Sequence, residues 1–171
     1  EERSEFLYRR MGPGREMSGG SCANTMAAIA GLGGNAAYIG RVRDDQLGEV
    51  FAHDMRSTGV TFRSQPSVSG PSTARCLIFI TDDAQRTMQT YLGACVELTP
   101  DDVDPELVAR ASVVYLEGYL WDRPEAKQAF VKAAEIARKA GRKTAITLSD
   151  SFCVDRHRDS FLDLIRNQID I

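Results

Sequence analysis

Met17-Ser18-Gly19-Gly20-Ser21-Cys22-Ala23-Asn24-Thr25 is the stretch around which the rest of the chain is read. Two adjacent glycines let the backbone turn tightly and leave its N–H groups uncovered. The turn runs into a small-residue helix expected over Met26 to Leu32. The unpaired amides and positive dipole end of such a helix point at whatever sits over the turn. Asn24, one turn in, adds a side chain that both donates and accepts. A polyhydroxylated or anionic small molecule suits that combination. A plain loop-to-helix connection would use the same glycines for geometry alone.

The chain has 171 residues, 43% apolar and 26% charged, with a formal net charge of -3. That length allows one domain, which buries about 70% of its unfolded surface. The small negative charge and the lack of a basic stripe with interleaved aromatics argue against nucleic acid as a partner. Apolar runs such as Cys76-Leu77-Ile78-Phe79-Ile80 are too short to cross a bilayer, and Glu1-Glu2-Arg3-Ser4-Glu5 opens no signal peptide. Cys22, Cys76, Cys95 and Cys153 show no zinc-type spacing. They read as reduced thiols, mostly small core residues, in a cytoplasmic protein.

Along the chain, Ser4 to Arg10 has a helical pattern broken by Met11-Gly12-Pro13-Gly14, and Ala36 to Gly40 is a short strand. Asp44-Asp45 caps a helix whose Leu47, Val50, Phe51 and Met55 are expected on one face, ended by Gly59. Arg63 to Ser72 is loop. Thr73 to Thr81 and Thr87 to Leu92 form a hairpin about Asp82-Asp83-Ala84. Beyond Pro100 come a helix over Pro105 to Arg110, a strand at Val113 to Leu116 and a helix over Pro124 to Ala140. A strand at Thr144 to Leu148, a helix over Arg158 to Asn167 and the start of a strand at Ile169-Asp170-Ile171 follow. Strands alternating with amphipathic helices predict βαβ units and a mainly parallel sheet. The charged start and the strand-like end make the chain look like part of a longer one.

Ligands in parallel α/β sheets bind beyond the carboxyl ends of the strands. Four clusters fall there: Gly19-Gly20-Ser21, Glu117-Gly118-Tyr119, Ser149-Asp150 and the hairpin end at Arg86. Tyr119 and Trp121 suit either loop packing or a stacking platform. Asp150 is read as a helix cap rather than a metal ligand, His53 as a solvated surface residue, and His157 as part of a charged helix start. No P-loop, dinucleotide fingerprint, nucleophile elbow or HExxH is present.

Ser18 to Thr25, followed by Gly33, Ile39-Gly40-Arg41-Val42 and Asp44-Asp45-Gln46-Leu47-Gly48, resembles the first signature of the ribokinase-like (phosphofructokinase B) kinases. Arg86-Thr87-Met88, Leu148 to Phe152 and the closing Ile-Asp-Ile look closest to the adenosine kinases of that family. Cys22 and Met26 stand where small residues are usual, and Arg43 where glycine often is. The resemblance covers essentially the whole chain. It implies an α/β fold, a mainly parallel sheet flanked by helices, with a small β lid at about residues 60–92.

The resemblance also implies ATP-dependent phosphorylation, with Mg2+, of the primary hydroxyl of a nucleoside, adenosine first. A sugar kinase of the ribokinase or fructokinase type is the alternative within the class. A non-catalytic ligand-binding or dimerisation fragment is the alternative outside it. Gly19, Gly20, Ser21 and Asn24 would hold the acceptor's hydroxyls, and Met88, Thr90, Leu92 and Tyr119 would cover its base or sugar. Arg86 would face the phosphates, and no residue is assigned to a metal. The partners so implied are a small-molecule nucleoside or sugar, neither nucleic acid nor membrane, and a second copy meeting through the lid. The family's first strand with its acceptor-gripping aspartate, and its anion hole with the base aspartate, are expected before Glu1 and beyond Ile171.

Overall fold

Alternating strands and helices are what the chain builds. A computed structural model describes residues 1–171. Its helices are α1 (Glu2–Tyr8), α2 (Ser21–Gly31), α3 (Gln46–Ser57), α4 (Pro105–Arg110), α5 (Pro124–Lys139) and α6 (Ser151–Gln168). Its strands are β1 (Ala37–Tyr38), β2 (Thr61–Phe62), β3 (Arg75–Ile80), β4 (Arg86–Tyr91), β5 (Val113–Glu117) and β6 (Lys143–Thr147). β1 pairs with β2 and β5 with β6, both in parallel. The sheet expected to be mainly parallel is thus present as two parallel pairs, the first only two residues long on each strand.

β3 and β4 form an antiparallel hairpin outside both pairs, with Ile78 opposite Met88 and Ile80 opposite Arg86. Side chains alternate between its two faces. Leu77 is buried on the face that also carries Arg75, whose guanidinium donates to Ser4 Oγ of α1 at 3.0 Å. The opposite face leaves Ile78, Ile80 and Met88 exposed.

Two cores support this arrangement. The larger gathers Leu116, Trp121, Phe130, Phe161 and Leu164 around the inner face of α5. Ala126, Ala129, Phe130, Ala133 and Ala137 recur at helical spacing, so α5 presents one continuous stripe to β5 and β6. The smaller core joins Ala23 of α2, Ala52 and Met55 of α3, and Phe62. Its aromatic centre is Tyr38, Phe51 and Phe62, with ring centroids 5.7–5.8 Å apart.

Several local expectations are corrected. α2 begins at Ser21, not Met26, because Gly20 already serves as its N-cap. On α3, Phe51 and Met55 pack inward with Gly48 and Ala52, while Leu47 and Val50 are exposed. α6 begins at Ser151, since Asp150 accepts from Cys153 N–H at 2.7 Å as its N-cap. His157 therefore lies inside α6, at a kink, with Nε2 2.5 Å from Asp122 Oδ1. Only Cys153 of the four thiols is buried, and Cys76 is exposed. Ile169–Ile171 is not a regular strand, although Asp170 N–H donates to Thr144 O at 2.8 Å alongside β6. No helix is long and apolar enough to cross a membrane.

Candidate active site

Gly20 holds φ at 110°, a conformation open to glycine and strained for other residues. From there α2 starts without any side-chain cap. The backbone N–H groups of Gly19, Gly20, Ser21, Cys22 and Ala23 make no hydrogen bond within the protein. Asn24 is exposed, and its amide is likewise unengaged. Donors left open at a helix start form a ready receptor for hydroxyl or anionic oxygen. Gly19 and Asn24 share a hollow of about 310 Å³, lined as well by Ser18, Asp54, Ser57 and Thr58.

A second set of groups converges from the carboxyl ends of β5 and β6. Ser149 adopts φ 71°, rare for a residue with a side chain. Its hydroxyl donates to Glu117 Oε1 at 3.2 Å and accepts from Tyr119 N–H at 2.9 Å, bridging the two strand ends. Glu117 Oε2 is buried and unpartnered. Leaving a buried carboxylate oxygen unpaired costs free energy, so such a group needs a reason. Burial pushes the Cys22 thiol up to about 12, and the Glu117 carboxylate adds to the rise. Burial likewise pushes Cys95 up to about 11.

The expected site residues divide accordingly. Gly19 and Asn24 line one hollow, and Gly20 and Ser21 stand beside it at the helix start. Met88, Thr90 and Leu92 are exposed on or next to β4. Arg86 stands exposed at the turn end of β4, without an ion pair or hydrogen bond. Tyr119 is 40% exposed. Trp121 does not join them. It stacks on Phe161 at 5.4 Å and gives its Nε1–H to Ser160 at 2.9 Å, so it is a core residue. Sequence reasoning marked the Glu117-Gly118-Tyr119 cluster but assigned Glu117 no role. An acidic residue closing a buried strand is the signal that could have done so.

No three His, Cys, Asp or Glu side chains converge where they could hold a metal ion, so no Mg2+ ligand is assigned among these residues.

Residues 10–171 match the pfkB family of carbohydrate kinases. The chain belongs to that family. It is 58% identical to an adenosine kinase from Sinorhizobium meliloti, whose structure superimposes with a TM-score of 0.93 over 99% of this chain and 52% of that one. A protein from Rhizobium etli CFN 42, named as a probable sugar kinase, matches at 56% identity, again with a TM-score of 0.93, over 99% of this chain and 52% of that one. Fructokinase-1 of Zea mays is 32% identical over 125 residues, 72% of this chain and 39% of its own length. The chain therefore spans about half the length of the solved relatives and less of the curated ones. The ribokinase-like α/β fold expected from the glycine motif is the fold of this pfkB family member.

Proposed function

We propose that the intact protein is an ATP-dependent kinase acting on the primary hydroxyl of a nucleoside, with adenosine as the preferred acceptor. The observation that carries this reading is the row of open amides at Gly19–Ala23 beside the exposed, unengaged side-chain amide of Asn24. Backbone donors next to a side chain that both donates and accepts match the vicinal hydroxyls of a ribose, which give and take hydrogen bonds. The 58% identity to an adenosine kinase across 99% of the chain supports adenosine over other nucleosides.

In this mechanism the acceptor hydroxyl would give up its proton to a base or to water, its oxygen would bond to the γ-phosphorus of ATP, and ADP would leave as the bond to the bridging oxygen breaks. ATP bound with Mg2+ supplies the phosphoryl group, and no base is assigned among residues 1–171. The chain's own part is positioning and charge stabilisation, the main needs of phosphoryl transfer. Asn24 and the glycine amides fix the acceptor, while the hairpin covers it through Met88, Thr90 and Leu92 and keeps water out. Tyr119 borders the base. Arg86, exposed and unpaired, meets the phosphates. A second copy would cover the apolar hairpin face of Ile78, Ile80 and Met88, which sedimentation of the intact protein checks. Four free thiols fit a reducing compartment, the cytoplasm.

A sugar kinase is the second reading, favoured by the 56% identity to the Rhizobium etli protein and by the match to a fructokinase. A coupled ATP assay of the intact enzyme with adenosine, ribose and fructose decides between them. AMP formation at the highest kcat/KM is expected. Preferential turnover of fructose or ribose establishes the second reading, and no ATP-dependent product from any of the three rejects both. Asn24→Ala should raise the acceptor KM about tenfold.

A further inference from the structure

We propose that Asp54 is a positioning residue for the acceptor site, holding the glycine turn in place through Ser18. The inference rests on the reading of that turn as the acceptor receptor. Residues 12–19 form a loop with only two hydrogen bonds to other residues. One joins Tyr8 of α1 to Glu16, two residues before Ser18. The other runs from Ser18 Oγ to Asp54 Oδ2 at 2.6 Å, across 36 residues of sequence. It is therefore the hydrogen bond that ties the loop to α3, next to the glycine turn.

The anchor is well placed for this task. Asp54 sits on α3 beside Met55, which is buried in the smaller core with Ala52, so its backbone is fixed. Ser18 immediately precedes Gly19 and Gly20, which have no side chains with which to hold themselves. Ser18, Gly19, Asn24 and Asp54 line the same hollow, so a shift of Ser18 changes the spacing between the turn and the Asn24 amide. Asp54 Oδ1 is also engaged, 3.3 Å from His53 Nδ1. The hydrogen bonds from Ser18, first, and from His53 hold its carboxyl below the usual carboxylate range. Ionised and fixed at both oxygens, it remains an acceptor for Ser18 near neutral pH.

At its other end the same helix is capped by Asp45, which holds Thr73 at the foot of the hairpin. A helix of 12 residues spans about 18 Å at 1.5 Å per residue. α3 thus keeps the glycine turn and the hairpin foot at a fixed separation. An exposed ion or hydrogen bond on a surface helix usually contributes little. The distinction here is that this one is the hydrogen bond between α3 and a segment that makes only one other.

The test uses Asp54→Ala, Ser18→Ala, the double variant, Ser18→Thr and Asn24→Ala in the intact kinase. Asp54→Ala and Ser18→Ala should each raise the acceptor KM about tenfold while kcat and the KM for ATP stay within about twofold. The double variant should be no worse than either single one, because both break one bond. Ser18→Thr, which keeps the hydroxyl, should retain the wild-type KM. A second readout needs no substrate: trypsin cleavage after the exposed Arg15 should accelerate several-fold in Asp54→Ala and Ser18→Ala but not in Ser18→Thr. Unchanged KM in Asp54→Ala and Ser18→Ala, with a raised KM in Asn24→Ala, overturns the role of Asp54 and leaves the acceptor site standing. Unchanged KM in all three removes the acceptor site and this proposal together. Unchanged cleavage overturns the anchoring itself.

Discussion

Thr73 gives both of its donors to Asp45: its hydroxyl to Oδ1 at 2.6 Å and its backbone N–H to Oδ2 at 2.9 Å. Asp45 Oδ1 also accepts from Gly48 N–H at 2.9 Å as the N-cap of α3. One carboxylate therefore joins a helix start to the foot of the hairpin, 28 residues further on. Asp45→Ala should lose an N-cap and two further hydrogen bonds, about 2–3 kcal/mol together. Urea denaturation at neutral pH checks this, and a loss below about 0.5 kcal/mol would mean that the foot is held elsewhere.

The same residue predicts an acid dependence. Burial raises the Asp45 carboxyl pKa, but the hydrogen bonds from Thr73 and Gly48, with Arg43 nearby, outweigh it and leave a net lowering. A carboxyl with a folded-state pKa below its unfolded value stabilises the fold above the unfolded pKa, about 3.9. That contribution falls away as pH drops through the folded value. Urea midpoints followed into acid should decline less steeply in Asp45→Asn than in the wild type. Parallel curves would show that Asp45 titrates alike in the folded and unfolded chains.

Gly93 closes the other foot of the hairpin. It holds φ 49°, and a Cβ placed there would lie 2.1 Å from Ser72 O. Ser72 O already accepts from Ala94 N–H at 2.9 Å, so it cannot move aside freely. Left-handed backbone costs a residue with a side chain about 1–2 kcal/mol, and the clash adds to that. Gly93→Ala should lower stability by more than about 2 kcal/mol in urea denaturation. Gly12→Ala, where a Cβ meets nothing within 4 Å, is the control and should stay within about 0.5 kcal/mol of wild type.

Glu117 separates a functional carboxylate from a structural one by the sign of two effects. Its Oε1 is held by Ser149, while its buried Oε2 has no partner. Glu117→Gln keeps an acceptor for Ser149 and removes a buried charge left unpaired. Thermal stability should hold or rise, while affinity for the acceptor falls about tenfold. Calorimetric titration of the intact enzyme with adenosine, beside melting curves, gives both signs. Reduced stability with unchanged affinity would mark Glu117 as purely structural.

What the sequence shows, and what it hides, divides by range. α4 runs over Pro105–Arg110 as its pattern predicts, because its Asp104 cap and Pro105 start are local signals. The hairpin turns at Asp82-Asp83-Ala84 for the same reason. The start of α2 is misplaced because glycine at a cap leaves no polar side-chain signal, and small residues are silent about burial. Trp121 stands near Tyr119 in sequence, yet its environment is set by Phe130 and Phe161, which local pattern cannot place. The long-range contacts around the glycine turn, the hairpin foot and the ends of β5 and β6 join residues far apart: Ser18 with Asp54, Asp45 with Thr73, and Glu117 with Ser149. No periodicity encodes such pairs. The glycine motif is legible since its geometry is local; the Asp54 carboxylate that meets Ser18 beside it is not.

Arg86 provides the sharpest separation of a kinase from a passive binder. It stands exposed at the turn end of β4, opposite Ile80, with no ion pair and no hydrogen bond. A solvated arginine of that kind contributes almost nothing to stability, so Arg86→Ala should leave the melting temperature unchanged within error. Charge spreads over the transferring phosphoryl oxygens chiefly in the transition state, and an arginine meeting them there lowers the barrier without tightening acceptor binding. In the intact enzyme Arg86→Ala should therefore lower kcat about 100-fold or more, with a smaller effect on acceptor affinity. Lysine should rescue only in part, because a point charge lacks the planar two-pronged match to phosphate. Steady-state kinetics on wild type, Arg86→Ala and Arg86→Lys measure this directly. Wild-type turnover in the alanine variant would remove Arg86 from the reaction, and full rescue by lysine would show that charge alone, without the fork, is what the phosphates meet.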